Sequence, residues 1–219
     1  MKLTPFAYTK LKAFETCPKQ GQARYITKEY PFVKTDAMEY GIEVHQLLKD
    51  YINDNVPFPP DYAWLEQFVP IRSDDTELFT SELGLGITKD FSPCSFYDAD
   101  CFFRGYLDVL HIEGDLAVIV DWKTGKPYED PDELMLHAML AKAHYPQVKH
   151  WRGYYTWLKT KQIGEIHTLS PAVTYRNLIK RVERVESHKE FGDFFANKNP
   201  LCPWCDLESC HNYTGRKGK

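Results

Sequence analysis

The chain has 219 residues, a formal net charge of −4 and six cysteines; 43% of its residues are hydrophobic and 15% aromatic. That is ample apolar side chain for one folded domain, and it excludes a disordered chain. The mild acidity argues against a passive nucleic-acid coat, no apolar run approaches the ~20 residues of a membrane span, and MKLTPFAYTKLK lacks the apolar core of a secretory leader. The expectation is a soluble cytoplasmic protein with no membrane partner.

Residues 4–16 read as a short helix, with Thr4 as N-cap, Pro5 at the first helical position, and Ala7, Leu11 and Phe14 at helical spacing. Cys17-Pro18 ends it, because a proline disfavours helix in the residue before it. Residues 36–54 form the clearest amphipathic helix, with Met38, Ile42, His45, Leu48 and Ile52 on one stripe. By itself, His45 on such a stripe reads as a packed core histidine. Residues 55–75, rich in Pro and Asp, make a connector with one short helix around Tyr62–Phe68. Residues 77–88 read as a strand, in which Glu82 is either an exposed charge or an acidic neighbour of a metal.

Residues 104–126, RGYLDVLHIEGDLAVIVDWKTGK, read as two strands joined at Glu113-Gly114-Asp115. Asp108 lies in the first strand; Asp121 and Lys123 close the second and share a face, with Trp122 on the other. A hairpin partner brings Asp108 alongside them. Carboxylates gathered on one patch repel unless a cation neutralises them, and hard oxygen ligands suit Mg²⁺ or Mn²⁺. A lysine beside such a cation can orient a water or neutralise an oxyanion. The plainer reading is a surface hairpin with an exposed ion pair.

Asp130-Pro131 caps a helix over 132–144, on which Glu133 and His137 share a face at i,i+4 and can line a site. Residues 148–160 and 165–169 read as strands around a turn at Gly164. A long helix over 174–196 carries Arg176, Lys180, Arg181 and Arg184 as a basic ridge, which is either a solvated face or a track for phosphates. Cys94 and Cys101 read as ordinary small residues. Cys202, Cys205 and Cys210, in the run CPWCDLESC, have a spacing that lets three thiolates converge on one metal centre; Cys17 and His211 compete as the fourth ligand.

Gly105-Tyr106-Leu107-Asp108 followed, after twelve further residues, by Asp121-Trp122-Lys123-Thr124-Gly125 resembles the G-x-x-D and D-x-K-T-G motifs of the PD-(D/E)XK nuclease superfamily, in its RecB-like branch. The opening helix with Cys-Pro, the Gly41-x-x-x-His45 frame and the late cysteines extend the resemblance from Phe14 to Cys210. The resemblance implies a single domain over 1–219 with an α/β, restriction-endonuclease-like αβββαβ core, a mixed sheet flanked by helices. It implies metal ligation by His45, Asp108, Asp121 and the Trp122 carbonyl, and catalysis by Asp108, Asp121 and Lys123 with Mg²⁺ or Mn²⁺. Where the branch has Q-L-x-x-Y-A, this chain has Glu133-Leu134-Met135-Leu136-His137-Ala138, which puts the inherited roles of those two positions in doubt.

The cysteine set resembles the iron–sulfur members of the branch, the AddB-type and CRISPR-associated adaptation nucleases. That implies a [4Fe–4S] cluster on Cys17, Cys202, Cys205 and Cys210, although a last gap of four residues where those families have five leaves Zn²⁺ as an alternative. The function implied is hydrolysis of phosphodiester bonds in DNA, single-stranded or with a free end. It would be performed by a stand-alone exonuclease of recombination, repair or phage DNA processing in a bacterial or phage-infected cell, with recombination, CRISPR or phage proteins as partners. The alternative is a non-catalytic nucleic-acid-binding module on a degenerate nuclease fold.

Overall fold

A computed structural model describes residues 3–30 and 34–215. In chain order the elements are α1 (Tyr8–Thr16), α2 (Pro18–Gln22), α3 (Asp36–Asp54), a 3₁₀ segment (Pro60–Phe68), β1 (Thr76–Ile87), β2 (Pro93–Cys94), β3 (Phe103–Glu113), β4 (Leu116–Lys123), α4 (Pro131–His144), β5 (His150–Trp157), β6 (Gln162–Ile163), β7 (His167–Thr168) and α5 (Pro171–Glu190). They form two compact units: Lys34–Tyr175, and the N-terminal segment together with the residues from Arg176 onward.

The unit Lys34–Tyr175 is built on a mixed sheet in the order β2-β1-β3-β4-β5-β6, with β7 also paired to β5. The β1, β3 and β4 strands pair antiparallel, through the hairpin turn where Gly114 takes a φ of 57°, while β4 and β5 run parallel across the α4 crossover. On one face, Val44, Leu48 and Ile52 of α3 pack with Leu65, Phe68, Val109, Val120, Trp122 and Leu158. The middle of α4, Leu136 to Ala141, is buried all round, as its nearly continuous apolar sequence requires. The mixed sheet flanked by helices is the α/β architecture expected from the sequence.

Two expectations shift. The stripe on α3 divides: Leu48 and Ile52 join the core with Val44, but Met38 and Ile42 are 41% and 60% exposed, because the first two turns of α3 stand clear of the sheet. The long late helix starts at Pro171 and stops at Glu190, where Gly192 takes a φ of 67° and turns the chain.

In the other unit, α1 begins at Tyr8 behind Ala7, with no side-chain cap. Thr4 does not cap it: the chain bends at Pro5, the Lys10 ammonium donates to the Leu3 and Pro5 carbonyls, and the cap position falls on Ala7. The amide of Lys19 donates to the Phe195 carbonyl at 3.0 Å, and Asn197 donates through its side chain to the Thr16 carbonyl at 3.0 Å, so the two ends of the chain are tied side by side. No helix among the described residues is long and apolar enough to cross a membrane.

Candidate active site

The site lies where regular strand alternation fails. Pairing between β3 and β4 runs from Glu113↔Leu116 to Val109↔Val120 and stops one residue short of Asp108 and Asp121. Val109 packs in the α3 core, yet Tyr106, three residues away, lines the same cleft as His45 of α3. Strict alternation would put residues 106 and 109 on opposite faces. The neighbouring strand breaks step at the same level: Phe79 packs against the α3 core and Glu82 reaches His45, also an odd number apart. The cause in β1 is visible at Glu82, which adopts a φ of 53°, a left-handed conformation that is costly for a residue with a Cβ.

Asn53 of α3 holds that kink. Its carbonyl oxygen accepts from the Ser81 amide at 2.9 Å and its amide donates to the Ser81 carbonyl at 3.0 Å, so one side chain satisfies both backbone groups. Ser81 in turn donates from its hydroxyl to the Asp108 carbonyl at 2.6 Å.

In the gap between β3 and β4, Asp108 Oδ2 accepts the Trp122 amide at 2.7 Å. His45 Nδ1 lies 2.9 Å from Glu82 Oε1 and 3.5 Å from Asp108 Oδ1, and its Nε2 is 3.0 Å from the Trp122 carbonyl oxygen. The ligand atoms of His45, Glu82 and Asp108 all lie within 4.8 Å of one another. Gly41, one turn before His45, makes the approach of α3 possible: a Cβ there would stand 3.2 Å from Thr124 Oγ1.

Beside this trio Asp121 is almost fully buried, with Lys123 Nζ 2.7 Å from its Oδ2 and 2.9 Å from Glu133 Oε2. At 2.7 Å the Lys123 ammonium is the partner of the otherwise enclosed Asp121 Oδ2. Burial, and then the charge of Asp108, push the Asp121 carboxyl well above the usual carboxylate range. Burial also works against the Asp108 charge, but its contact with His45, the nearby Lys123 and the Trp122 amide outweigh this and hold it low. Burial opposes the His45 charge too, yet Asp108 and Glu82 push its pKa up to about 10. Lys123 is raised although burial disfavours its charge, because Asp121 and Glu133 overcome that cost. The ring of His45, protonated, therefore neutralises oxygens that a divalent cation would otherwise share. An oxygen-rich set with one imidazole, His45 beside Glu82, Asp108 and the Trp122 carbonyl, fits Mg²⁺ or Mn²⁺.

The residues expected from the sequence fall into place unevenly. His45, Asp108 and the Trp122 carbonyl meet, and Glu82 joins them. Asp121 sits with Lys123 and Glu133. His137 is buried and pushed down by burial to a neutral imidazole, its Nδ1 without a hydrogen bond. Sequence reading missed Asn53 altogether, since nothing in YIND marks it as a clamp.

In the other unit, Cys17, Cys202, Cys205 and Cys210 are free thiols lining one cavity of about 30 Å³. His211 is exposed and is not among the residues lining it. The Asn197 amide faces Cys17 Sγ at 3.4 Å and Gln20 Nε2 faces Cys205 Sγ at 3.8 Å. On α5, Arg176, Lys180 and Arg184 are exposed, while Arg181 makes a two-point pair with Glu15, Nε–Oε1 at 2.7 Å and Nη2–Oε2 at 2.9 Å.

A mixed sheet whose parted strands gather His, Glu and Asp beside a buried Asp–Lys pair has the make-up of a hydrolase that can take a divalent cation. Comparison with protein families narrows this: the model of the PD-(D/E)XK nuclease superfamily matches residues 61–210, and the chain belongs to that superfamily. It is a nuclease by family, a hydrolase acting on nucleic acid. No curated protein matches the sequence. Among solved structures, SSO0001 is similar at 13% identity over 97% of this chain and 88% of that one, with a TM-score of 0.46. A protein of Eubacterium rectale, provisionally designated an exonuclease, is similar at 12% identity over 91% and 85% of the two chains, with a TM-score of 0.49.

Proposed function

We propose that this protein is a metal-dependent deoxyribonuclease acting as an exonuclease. The observation that carries the reading is the convergence of His45, Glu82 and Asp108 within 4.8 Å, directly beside the Asp121–Lys123 pair. His45, Glu82, Asp108 and the Trp122 carbonyl would hold Mg²⁺ or Mn²⁺, with Asp121 adjacent. Such an ion supplies Lewis-acid stabilisation of phosphoryl charge and lowers the pKa of water. The chain supplies the rest. The raised Lys123 keeps its proton, so it orients a water and stabilises developing oxyanion charge rather than acting as a free base. Glu133 holds the Lys123 ammonium from the α4 side, a job a carboxylate does at a position where the branch has glutamine. In this reading residues 1–219 make one nuclease domain, and the exposed Arg176, Lys180 and Arg184 are candidate contacts to a phosphate backbone.

The cysteine set belongs to the same proposal as a second centre, [4Fe–4S] in preference to Zn²⁺. The four thiols line one small cavity, and a thiolate set with no carboxylate among them suits a soft or borderline metal. The cellular setting is the cytoplasm of a bacterial or phage-infected cell.

The test is cleavage of end-labelled single- and double-stranded DNA with Mn²⁺ or Mg²⁺. Stepwise shortening from an end that EDTA abolishes is the expected result. Binding without any cleavage in either metal would replace the enzyme with a non-catalytic nucleic-acid module.

A further inference from the structure

Tyr106 stands at the edge of the metal cleft, lining it together with His45, Glu82 and Ile42, and the same ring opens onto a second groove with Phe96 and Tyr97. Its ring centroid lies 4.3 Å from that of Phe96, and Phe96 lies 5.0 Å from Tyr97. The two tyrosine hydroxyls are 3.3 Å apart. The Arg104 guanidinium covers Phe96 at 4.5 Å from the ring centre and is anchored to the Phe96 carbonyl at 2.9 Å. Room for this stack comes from Gly84 of β1, where a Cβ would meet Tyr106 Cε1 at 2.8 Å. Yet the stack covers nothing: Tyr97 is 78% exposed and Tyr106 44%.

We propose that Tyr97 and Tyr106, braced by Phe96 and Arg104, form a ledge on which an unpaired nucleobase stacks next to the phosphate held in the metal cleft. The inference rests on the nuclease reading and deepens it by naming single-stranded nucleic acid as the substrate class. Aromatic faces with a cation alongside accept any base, because every base has a π face, and a base inside a duplex has that face already covered. Continuity with the cleft through Tyr106 sets the ledge beside the acidic trio. The groups around it fit a base better than a phosphate: Asp98 and Asp100, on the loop that carries Tyr97, are exposed and repel a phosphate backbone.

The experiment uses the full chain and short single-stranded DNA carrying 2-aminopurine near one end, with fluorescence read in EDTA so that no cleavage intervenes. Wild-type protein should quench unpaired 2-aminopurine and leave the base-paired form unaffected. Tyr97→Ala should weaken binding between about fivefold and a hundredfold, the range to which base–aromatic stacking of about 1–3 kcal/mol converts at 1.4 kcal/mol per decade. Tyr97→Phe, which keeps the ring, should restore it, and Gly84→Ala, which displaces the Tyr106 ring, should weaken it. Tyr97 is exposed, so its truncation leaves the core untouched, and a thermal melt of each variant checks this.

A Tyr97→Ala variant that binds as wild type does, or equal quenching of paired and unpaired probes, overturns the ledge. The two proposals fail separately. If the wild type cuts strands in Mn²⁺ but Tyr97→Ala keeps wild-type preference for a normal over an abasic terminal nucleotide, the nuclease stands and the ledge falls. If Tyr97-dependent quenching is present and no metal supports cleavage, the ledge stands and the nuclease reading falls.

Discussion

Side chains of the kinds that can ligate a metal gather in two regions of this chain, and the regions are built by different means. His45, Glu82 and Asp108 are fixed by α3 and by paired strands, and each is already hydrogen-bonded or ion-paired to a neighbour. Cys202, Cys205 and Cys210 lie in a segment whose regular structure is one 3₁₀ turn, Cys202–Trp204, and they face Cys17 across a cavity. A site made by a sheet keeps its shape through the strands' own pairing and the ion pairs of His45. A site made of turns relies on what fills it. Losing a metal should therefore unsettle the cysteine region far more than the acidic one.

The largest expected effect comes from that contrast. If a centre at the four cysteines closes the loop from Cys17 to Cys210, Cys17→Ala should destabilise the protein by about 4–5 kcal/mol, by analogy with long disulfide loops. It should also bleach any brown colour of an anaerobic preparation, while His211→Ala does neither. A colourless protein carrying one zinc, indifferent to Cys17→Ala, would sink the cluster. Next in size, Asp121→Asn and Lys123→Ala should each cost about 2–4 kcal/mol of transition-state stabilisation, or some 30- to 1,000-fold in rate, with the fold unchanged by circular dichroism. Rates near wild type in either would remove this active site.

A smaller effect tests how the sheet positions the acidic trio. Asn53→Ala leaves both backbone groups of Ser81 without their partner and should cost about 1–3 kcal/mol in denaturant melts. It should also raise the Mn²⁺ concentration at half-activity, because Glu82 loses its clamp. The smallest effect is on pH. His45 has a raised pKa, so its contribution to stability is full below about 6.5, declines as pH rises and is gone above about 10. The metal-free protein should thus lose a few degrees of melting temperature across that range. His45→Ala should flatten the curve and weaken Mn²⁺ binding; an unchanged curve and an unchanged Mn²⁺ midpoint would return His45 to a packing role.

Much of this was legible in the sequence because its signals are local. The spacing of Val118, Ile119 and Val120 marks a buried strand, Asp130-Pro131 marks a helix start, and both appear within a residue or two of their expected places. The G-x-x-D and D-x-K-T-G motifs mark Asp108, Asp121 and Lys123 for the same reason. Glu82 could be only half read, because no residue type announces a φ of 53° inside a strand. Asn53 was invisible, since its function lies in two hydrogen bonds to a strand 28 residues away. The exposure of Met38 and Ile42 was equally hidden: periodicity reports a stripe but not where the neighbouring sheet ends.

The simultaneous loss of alternation in β1 and β3 has a consequence for anyone rebuilding this protein. The two strands change step at the same rung, so each is in register with the other only because both are irregular. Transplanting the motif residues onto an ideal hairpin would keep every sequence interval and still aim Tyr106 or Val109 at the wrong layer. Inserting or deleting one residue between Ser81 and Gly84 would do the same from the other side. Grafts that carry the kinked pair together with Asn53 should tolerate wide change elsewhere, which makes residues 53, 81–84 and 105–109 the smallest portable piece of this architecture.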